Sequence, residues 1–396
     1  MQSQSGPREA NRSKAERPRS EAGAEQLMES VERAVAEVRR GGAVVVLSSD
    51  GAGDGPAVLM RAAETVDAWP PAFFDAAGVG AISLAITGRR ASILGLSQPD
   101  TRAVQLNAAR AFTADDVRAL IDPQTESGRI PPPGVAAAAL ALHSAGDAAV
   151  LLTKIARLLP AAVIAPLTHQ TAHEAAITWA RAAERLVVTA RAIEAYERNH
   201  ADDLRPISEA HVPLAGAPDT RIISFRPSDG GAEHLAIVIG QPDPAQPVLA
   251  RLHSECFTGD LLASLRCDCG DQLRGAVAAI AKEGGGVLLY LAQEGRGIGL
   301  VNKLRAYTLQ DQGFDTVDAN EQLGFDDDER VYLPAVRMLR HLGFTRVRLL
   351  TNNPAKVGAL VRHGIDVTER VPHAFPSNTH NWTYLQTKAK RSGHLF

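Results

Sequence analysis

Three cysteines lie in one short stretch of this chain, and their side chains could hold a metal ion. Cys256, Cys267 and Cys269 are the only cysteines among the 396 residues. Thiolates suit zinc, and a site with three protein ligands keeps a fourth position for water, as catalytic zinc sites do. Two other interpretations stay open, namely three buried unreactive cysteines or a closed structural zinc site with His253 as the fourth ligand.

Two later segments could bind a phosphorylated ligand. The glycine-rich stretch Glu294-Gly-Arg-Gly-Ile-Gly299 follows a predicted strand at residues 287–290, and its glycines let the backbone approach a ligand closely. Its glycine spacing differs from that of a dinucleotide-binding fingerprint. A second predicted strand, at residues 346–350, ends at Thr351-Asn-Asn-Pro354. The helix that starts there could hold phosphate at its amino terminus, where Lys356 adds a positive charge.

The helix predicted after the glycine-rich stretch contains one tyrosine and two basic residues. Leu300, Leu304 and Tyr307 are expected on one side of this helix. Lys303 and Arg305 are expected elsewhere on its surface. A tyrosine on an apolar stripe is by default a core residue.

The elements around these motifs are predicted from hydrophobic patterns and capping residues. Strands are expected at residues 233–240 and 247–252, and Asp271 is expected to cap a helix that ends at Gly284. The acidic run at residues 326–329 is by default a solvated turn before a helix, where carboxylates favour the helix dipole.

The order of these motifs resembles that of GTP cyclohydrolase II, a zinc enzyme that commits GTP to riboflavin synthesis. The resemblance covers residues 206–396 and implies one zinc ion per chain on the three cysteines, GTP as the substrate, and Mg²⁺ with the triphosphate. It implies catalytic roles for Tyr307, Asp328 and Arg330. The implied substrate contacts are Arg251, Leu252, His253, Ser254, Glu255, Gln272, Glu294, Gly295, Arg296, Thr316, Thr351 and Lys356.

The resemblance also implies a reaction, the hydrolysis of GTP to 2,5-diamino-6-(5-phosphoribosylamino)pyrimidin-4(3H)-one, formate and diphosphate. Zinc would activate water for attack on guanine C8, and Tyr307 would transfer protons at that carbon. Glu255 would recognise the guanine edge by accepting hydrogen bonds from it. The family assigns Asp328 as base and Arg330 as nucleophile for diphosphate loss. A guanidinium with a pKa above about 12 is a poor nucleophile. Stabilisation of phosphoryl charge is therefore a second role for Arg330.

The first half of the chain predicts an α/β domain, because strands and helices alternate. We expect a helix from Leu27 to the glycines at 41–42, strands at 43–47, 81–86 and 162–164, and helices at 114–121 and 148–159. This order resembles the dihydroxybutanone-phosphate synthase domain that often precedes GTP cyclohydrolase II.

That synthase family needs an acidic loop with glutamates and a Gly-His-Thr-Glu element, and neither is present here. The corresponding segments are residues 48–55, with only Asp50 and Asp54 as carboxylates, and residues 144–147, with no histidine. Asp50 and Asp54 are expected to be turn residues, and His143 a core or surface residue. Because Mg²⁺ requires carboxylate oxygens, we expect this domain to lack synthase activity and to act as a scaffold, a dimerisation surface or a regulator.

Length and composition set the outline of the whole chain. Its 396 residues exceed a typical domain, so we expect a disordered tail at 1–25, a domain at 26–205 with residues 171–199 as a helix-rich connector, and a domain at 206–396. Each domain is expected to have a mixed sheet flanked by helices.

A formal net charge of −3 argues against nucleic-acid binding. No apolar run could span a membrane, and the reduced cysteines indicate the cytosol. The family further implies a homodimer.

Other functions are also consistent with parts of this pattern. A GTP-binding regulatory protein would bind the nucleotide without turnover, and a bifunctional enzyme would retain synthase activity. A zinc-ribbon nucleic-acid binder would need a fourth ligand and a basic surface, and the sequence offers neither.

Overall fold

The computed structural model describes residues 19–49, 56–67, 74, 78–97, 100–125, 130–168, 172–199, 204–227, 230–391, 393 and 395. In chain order, the first half contains α1 (Arg19–Arg39), β1 (Val44–Leu47), β2 (Val58–Ala62), β3 (Ser83–Thr87), α2 (Gly88–Ile93), β4 (Ala103–Ala108), α3 (Ala114–Ile121), β5 (Val135–Ala139), α4 (Ala145–Ile155), β6 (Ala161–Pro166), α5 (His173–Ala182), β7 (Leu186–Thr189) and α6 (Ala190–Asn199).

The described strands of the first half form one mixed sheet in the order β5-β4-β3-β6-β2-β1-β7. The pairings are antiparallel except for that of β1 with β7. All four residues of β1 are buried, as expected of a valine-rich run with both faces covered. The predicted α/β class is confirmed for this half.

Two predictions for the first half need correction. Residues 171–199 do not form a connector, because β7 pairs with β1 and is flanked by α5 and α6. The helix predicted at 148–159 starts earlier, at the residue after its cap Ser144, and ends before Arg157, whose φ is 58°. Helix α1 runs from Arg19 to Arg39 and includes the helix predicted from Leu27. Residues 1–18, and Asp50 and Asp54, lie outside the described residues.

The second half contains β8 (Leu204–His211), β9 (Thr220–Pro227), β10 (His234–Gly240), β11 (Val248–Ser254), α7 (Cys269–Lys282), β12 (Gly285–Leu291), α8 (Leu300–Asp311), α9 (Thr316–Gln322), α10 (Leu333–His341), β13 (Arg346–Leu350), α11 (Pro354–Arg362), β14 (Asp366–Val371) and α12 (Trp382–Arg391). Among the described residues these strands form a second mixed sheet, in the order β14-β13-β11-β12-β10-β9-β8.

The parallel part of the second sheet positions the site. Strand β11 lies between β12 and β13 and pairs with both in parallel. Their carboxyl ends, at Ser254, Leu291 and Leu350, therefore meet along one edge, where open α/β sheets bind their ligands. The loops that leave this edge carry the cysteines, the glycine-rich stretch and Thr351.

Two predictions for helices in this half were wrong. Asp268 is the residue before α7, so Asp271 lies in the first turn instead of capping it. In α8 the expected apolar side does not face the core, because the side chain of Leu304 is 50% exposed while Lys303 is buried. No helix in the described ranges has the length and apolar character needed to cross a lipid bilayer.

Candidate active site

The three thiols meet at the carboxyl edge of the parallel strands. Cys256 follows β11 and Cys269 begins α7, and all three sulfur atoms lie within 4.8 Å of one another. The backbone N–H of Gly259 donates to Cys256 Sγ at 3.3 Å. A Cβ atom on Gly259 would lie 2.7 Å from Cys267 Sγ and 3.0 Å from Cys256 Sγ, so a glycine is required beside the cluster.

The cluster fits a soft tetrahedral metal with three protein ligands. His253 does not complete it, because His253 Nε2 hydrogen-bonds to the carboxylate of Asp260 at 3.0 Å. Among the described residues, the group that could hold an ion consists of the three cysteines alone. The pKa of Cys256 lies far below its ordinary value because Cys267 and Cys269 donate hydrogen bonds to its sulfur, aided by the nearby charge of Lys303. The cluster therefore already favours a thiolate.

A buried lysine connects this cluster to the glycine-rich stretch. Lys303 Nζ lies 3.2 Å from Cys256 Sγ, 3.0 Å from Thr258 Oγ1 and 2.8 Å from Glu294 Oε1. The second oxygen of Glu294 accepts the backbone N–H of Phe257 at 2.6 Å. Burial alone would lower the pKa of Lys303, but the nearby Cys256 and Glu294 outweigh it and raise the pKa. The ammonium group therefore stays charged beside the thiolate.

Tyr307 lies one helical turn after Lys303, on the same face of α8. Its hydroxyl lies 3.4 Å from Thr258 Oγ1, and the guanidinium of Arg266 lies 5.0 Å from the centre of its ring. Burial raises the pKa of Tyr307, so its phenol is neutral at physiological pH. Tyr307 lines the same pocket as the cysteines.

The acidic run at residues 326–329 is ion-paired rather than a freely solvated turn. Arg330 donates to Asp328 through Nε at 2.7 Å and through a terminal nitrogen at 2.6 Å. Burial alone would raise the pKa of Asp328, but the hydrogen bonds and charge of Arg330 outweigh it and lower the pKa. Arg296 contacts Asp327 at 2.5 Å. Gly297 adopts a φ of 100°, and a Cβ there would lie 2.8 Å from the carbonyl oxygen of Glu329.

Arg251 lies at the base of the pocket. One terminal nitrogen donates to the Leu350 carbonyl at 2.9 Å, and the other contacts the side-chain oxygen of Gln272. Its buried Nε has no partner in the described residues, so it is available to a ligand. Nearby, His373 Nε2 donates to the Gln272 carbonyl at 2.9 Å, and burial together with Arg251 lowers the pKa of His373 to about 4.

The structure brings most predicted site residues to one pocket. The cysteines, Tyr307, Arg330 and all predicted substrate contacts except Leu252 line it. Leu252 is buried in the core below the sheet edge, and Lys356 donates to its carbonyl oxygen at 2.8 Å. Asp328 is not a lining residue and instead supports Arg330.

Sequence reasoning missed several lining residues, namely Arg266, Lys303, Asn320, Asn352, His373 and Tyr384. The four-residue spacing of Lys303 and Tyr307 could have revealed Lys303, because residues so spaced share a helix face. We find no comparable signal for His373 or Tyr384.

The pocket is strongly cationic. Its lining includes six basic side chains, Arg251, Arg266, Arg296, Lys303, Arg330 and Lys356, but only two carboxylates, Glu255 and Glu294. Such an excess favours a polyanionic ligand. An α/β fold with a thiol cluster at the carboxyl edge of parallel strands, beside a cationic pocket, defines a candidate metal-dependent enzyme for a phosphorylated substrate.

Comparison with known proteins agrees with this class. The family model described as GTP cyclohydrolase II matches residues 205–372. The chain is 56% identical over 372 residues to a GTP cyclohydrolase-2 of Azospirillum brasilense, covering 94% of this chain and 95% of that protein. The chain belongs to the GTP cyclohydrolase II family, and it is an enzyme of the hydrolase class, as its motifs predicted.

Two further relatives differ in how much of the chain they match. A GTP cyclohydrolase-2 of Azotobacter vinelandii is 62% identical over 165 residues, which are 42% of this chain and 79% of that protein. A riboflavin biosynthesis protein RibBA of Bacillus mycoides is 42% identical over 294 residues, covering 71% of this chain and 74% of that protein. The second alignment is too long for the C-terminal half alone, so this similarity extends into the first half.

Proposed function

We propose that the chain hydrolyses GTP to 2,5-diamino-6-(5-phosphoribosylamino)pyrimidin-4(3H)-one, formate and diphosphate, the first step of riboflavin biosynthesis. The observation that carries this proposal is the placement of three sulfur atoms, within 4.8 Å of one another, in a pocket lined by six basic side chains. The thiols suit one zinc ion, and the basic residues suit a triphosphate, which Mg²⁺ would accompany.

Cys256, Cys267 and Cys269 would hold the zinc ion. Zinc, when bound, would supply the Lewis acidity that activates water for attack on guanine C8. Tyr307, neutral and close to Thr258, would give and take protons at that carbon. Glu255 lines the pocket, and its carboxylate would accept the paired N–H donors of the guanine edge.

The pair of Asp328 and Arg330 would act at the α-phosphate when diphosphate leaves. Burial alone would lower the pKa of Arg330, but the neighbouring Tyr332 and Asp328 outweigh it and raise the pKa. A guanidinium that holds its proton this firmly favours charge stabilisation over nucleophilic attack. We therefore propose that Arg330 stabilises charge on the phosphoryl oxygens and that Asp328 orients it.

For the first domain, residues 26–205, we propose no synthase activity. Its buried Asp147 pairs with Arg102 at 3.2 Å, and His143 pairs with Glu194 at 2.6 Å. Asp147 and His143, which lie at the position of the missing Gly-His-Thr-Glu element, are thus both paired with residues of their own domain. Release of dihydroxybutanone phosphate from ribulose 5-phosphate and Mg²⁺ would refute this proposal. A homodimer stays a prediction that sedimentation of the full chain would test.

The test of the main proposal is a formate assay on the full chain with GTP, Zn²⁺ and Mg²⁺. We expect one formate and one diphosphate for each GTP consumed. Tight GTP binding with no formate would support the alternative of a regulatory protein without turnover. Ring-opened product that keeps its formyl group would show that the second hydrolysis is missing.

A further inference from the structure

The acidic run at residues 326–329 has partners that come from both halves of the chain. The two inner residues pair within the second half, Asp327 with Arg296 and Asp328 with Arg330. The two outer residues, Asp326 and Glu329, pair with the first half.

Lys154 connects the outer residues to each other. Its Nζ lies 2.8 Å from Glu329 Oε1 and 3.4 Å from Asp326 Oδ2. The lysine side chain is 18% exposed and that of Glu329 is 20% exposed, so solvent screens this pair less than an exposed one. Glu329 Oε1 also accepts the backbone N–H of Asp326 at 2.8 Å. One ammonium group thus holds both ends of the turn that carries Asp328.

The two halves share a core, so Lys154 acts from a fixed position. Phe325, Leu323 and Leu309 of the second half lie in the same buried apolar cluster as Leu84 and Ile86 of β3. A packed interior of this kind resists small displacements.

Buried hydrogen bonds cross the same boundary. Arg90 is 2% exposed and donates to the carbonyl of Gln322 at 3.1 Å, and Thr87 Oγ1 donates to the carbonyl of Gly324 at 2.8 Å. Both acceptors lie shortly before the acidic run, so the start of the run is fixed as well.

A second connection reaches the lysine beside the thiols. Arg157 donates to the carbonyl of Ala292 at 3.1 Å, and Asn302 donates to the carbonyl of Arg157 at 3.1 Å. Ala292 lies two residues before Glu294, and Asn302 precedes Lys303. The first half therefore contacts the segments on both sides of the Lys303–Glu294 ion pair.

We propose that the first domain is a positioning element of the catalytic site, with Lys154 as the residue that holds the 326–330 segment so that Arg330 faces the nucleotide. The inference rests on the proposed function for its kinetic readout only. In the described part of the chain Lys154 pairs with Glu329 and Asp326, neither of which lines the pocket, so it acts through these two residues.

The experiment compares Lys154→Met with Lys154→Arg in the full chain. Lys282→Met, an exposed lysine at the end of α7, is the matched control. We expect Lys154→Met to lower kcat on the order of tenfold, because a displacement of about 1 Å at reacting groups can cost about a hundredfold and the shared core keeps the displacement smaller than that. We expect Lys154→Arg to recover most of this loss. Zinc content should stay at one per chain, since Lys154 does not contact the cysteines.

Hydrogen exchange supplies a readout that needs no activity. The N–H of Glu329 donates to the Arg296 carbonyl at 3.0 Å, and we expect Lys154→Met to speed its exchange without changing that of the core strands. Glu329→Gln removes the same ion pair from the other side and serves if Lys154→Met fails to fold.

The outcomes separate the two proposals. Exchange and kcat equal to those of Lys282→Met would overturn the positioning role. Loss of activity together with loss of zinc or faster exchange throughout the chain would also overturn it, since that indicates a general structural role. A wild-type chain that yields no formate would refute the proposed function, and the exchange experiment would still decide the role of Lys154.

Discussion

Replacing Lys303 with methionine tests whether the buried ammonium group supports the thiol cluster. Methionine keeps the apolar stem but removes contacts of 3.2 Å to Cys256 Sγ and 2.8 Å to Glu294 Oε1. Removing one partner of a buried ion pair costs about 3–5 kcal/mol when the other charge is left unpaired. Glu294 keeps its hydrogen bonds from the N–H groups of Phe257 and Gly295. We therefore expect the free energy of unfolding to fall by only about 1–3 kcal/mol.

The larger effect of this change should appear at the metal. Residues that hydrogen-bond to metal ligands typically contribute about 10–100-fold to affinity or activity, so we expect zinc affinity, kcat/KM for GTP, or both to fall by that factor. Competition with a chromogenic chelator measures the affinity, and formate release measures turnover. Lys282→Met is the control. If Lys303→Met binds zinc and turns over GTP as the control does, the ammonium group has no role at the cluster and the reasoning is refuted.

Three further predictions concern the thiol cluster, the pair of Asp328 with Arg330, and pH. Cys269→Ser should abolish stoichiometric zinc binding and formate release while the circular dichroism spectrum stays that of the wild type, and retained zinc would contradict the three-ligand site. Asp328→Asn should lower kcat for GTP on the order of tenfold, and Arg330→Lys should keep measurable turnover if charge is what matters, so a completely inactive lysine variant would favour the covalent role. Burial and the nearby charge of Arg251 lower the pKa of His373 from its ordinary value of 6.5 to about 4. On acidification the unfolded chain therefore takes up the proton first, and the free energy of unfolding should fall by up to about 3 kcal/mol between pH 6.5 and 4. Urea titrations should show a smaller fall for His373→Gln, and an equal fall would contradict this account.

The thiol cluster could be predicted from the sequence because its geometry is local. Cys256, Cys267 and Cys269 belong to one loop and the first turn of α7, so short-range chain geometry almost suffices to bring them together. The parallel arrangement of β11, β12 and β13 then delivers the glycine-rich stretch and Thr351 to the same edge, as the alternation of strands and helices indicated. The predicted mixed sheets are confirmed by the strand order, and the predicted family is confirmed by the family model and the relatives.

The burial of α8 could not be predicted from its own residues. Hydrophobic periodicity assumes that a helix turns its apolar side inward, yet Lys303 and Asn302 are buried while Leu304 is exposed. One side of α8 faces the charged pocket, where Lys303 pairs with Glu294, and another faces the first half, where Arg305 pairs with Glu64 at 2.7 Å. A helix placed between a polar site and a second domain buries polar residues, and the amphipathic pattern then loses its usual meaning.

The acidic run shows the same limit at longer range. The pair of Asp328 with Arg330 is separated by two residues, so its contact follows from local geometry. Asp326 has two partners in the first half, Lys154 at 3.4 Å and Arg89 at 3.2 Å, which are 172 and 237 residues away. No pattern near these residues predicts the contacts. Because the carboxylates on both sides of Asp328 are neutralised from different domains, substitutions of Lys154 should act on the same loop as substitutions of Arg296. Their effects on kcat should therefore be non-additive in a double-mutant cycle, whereas two independent loops would give additive effects.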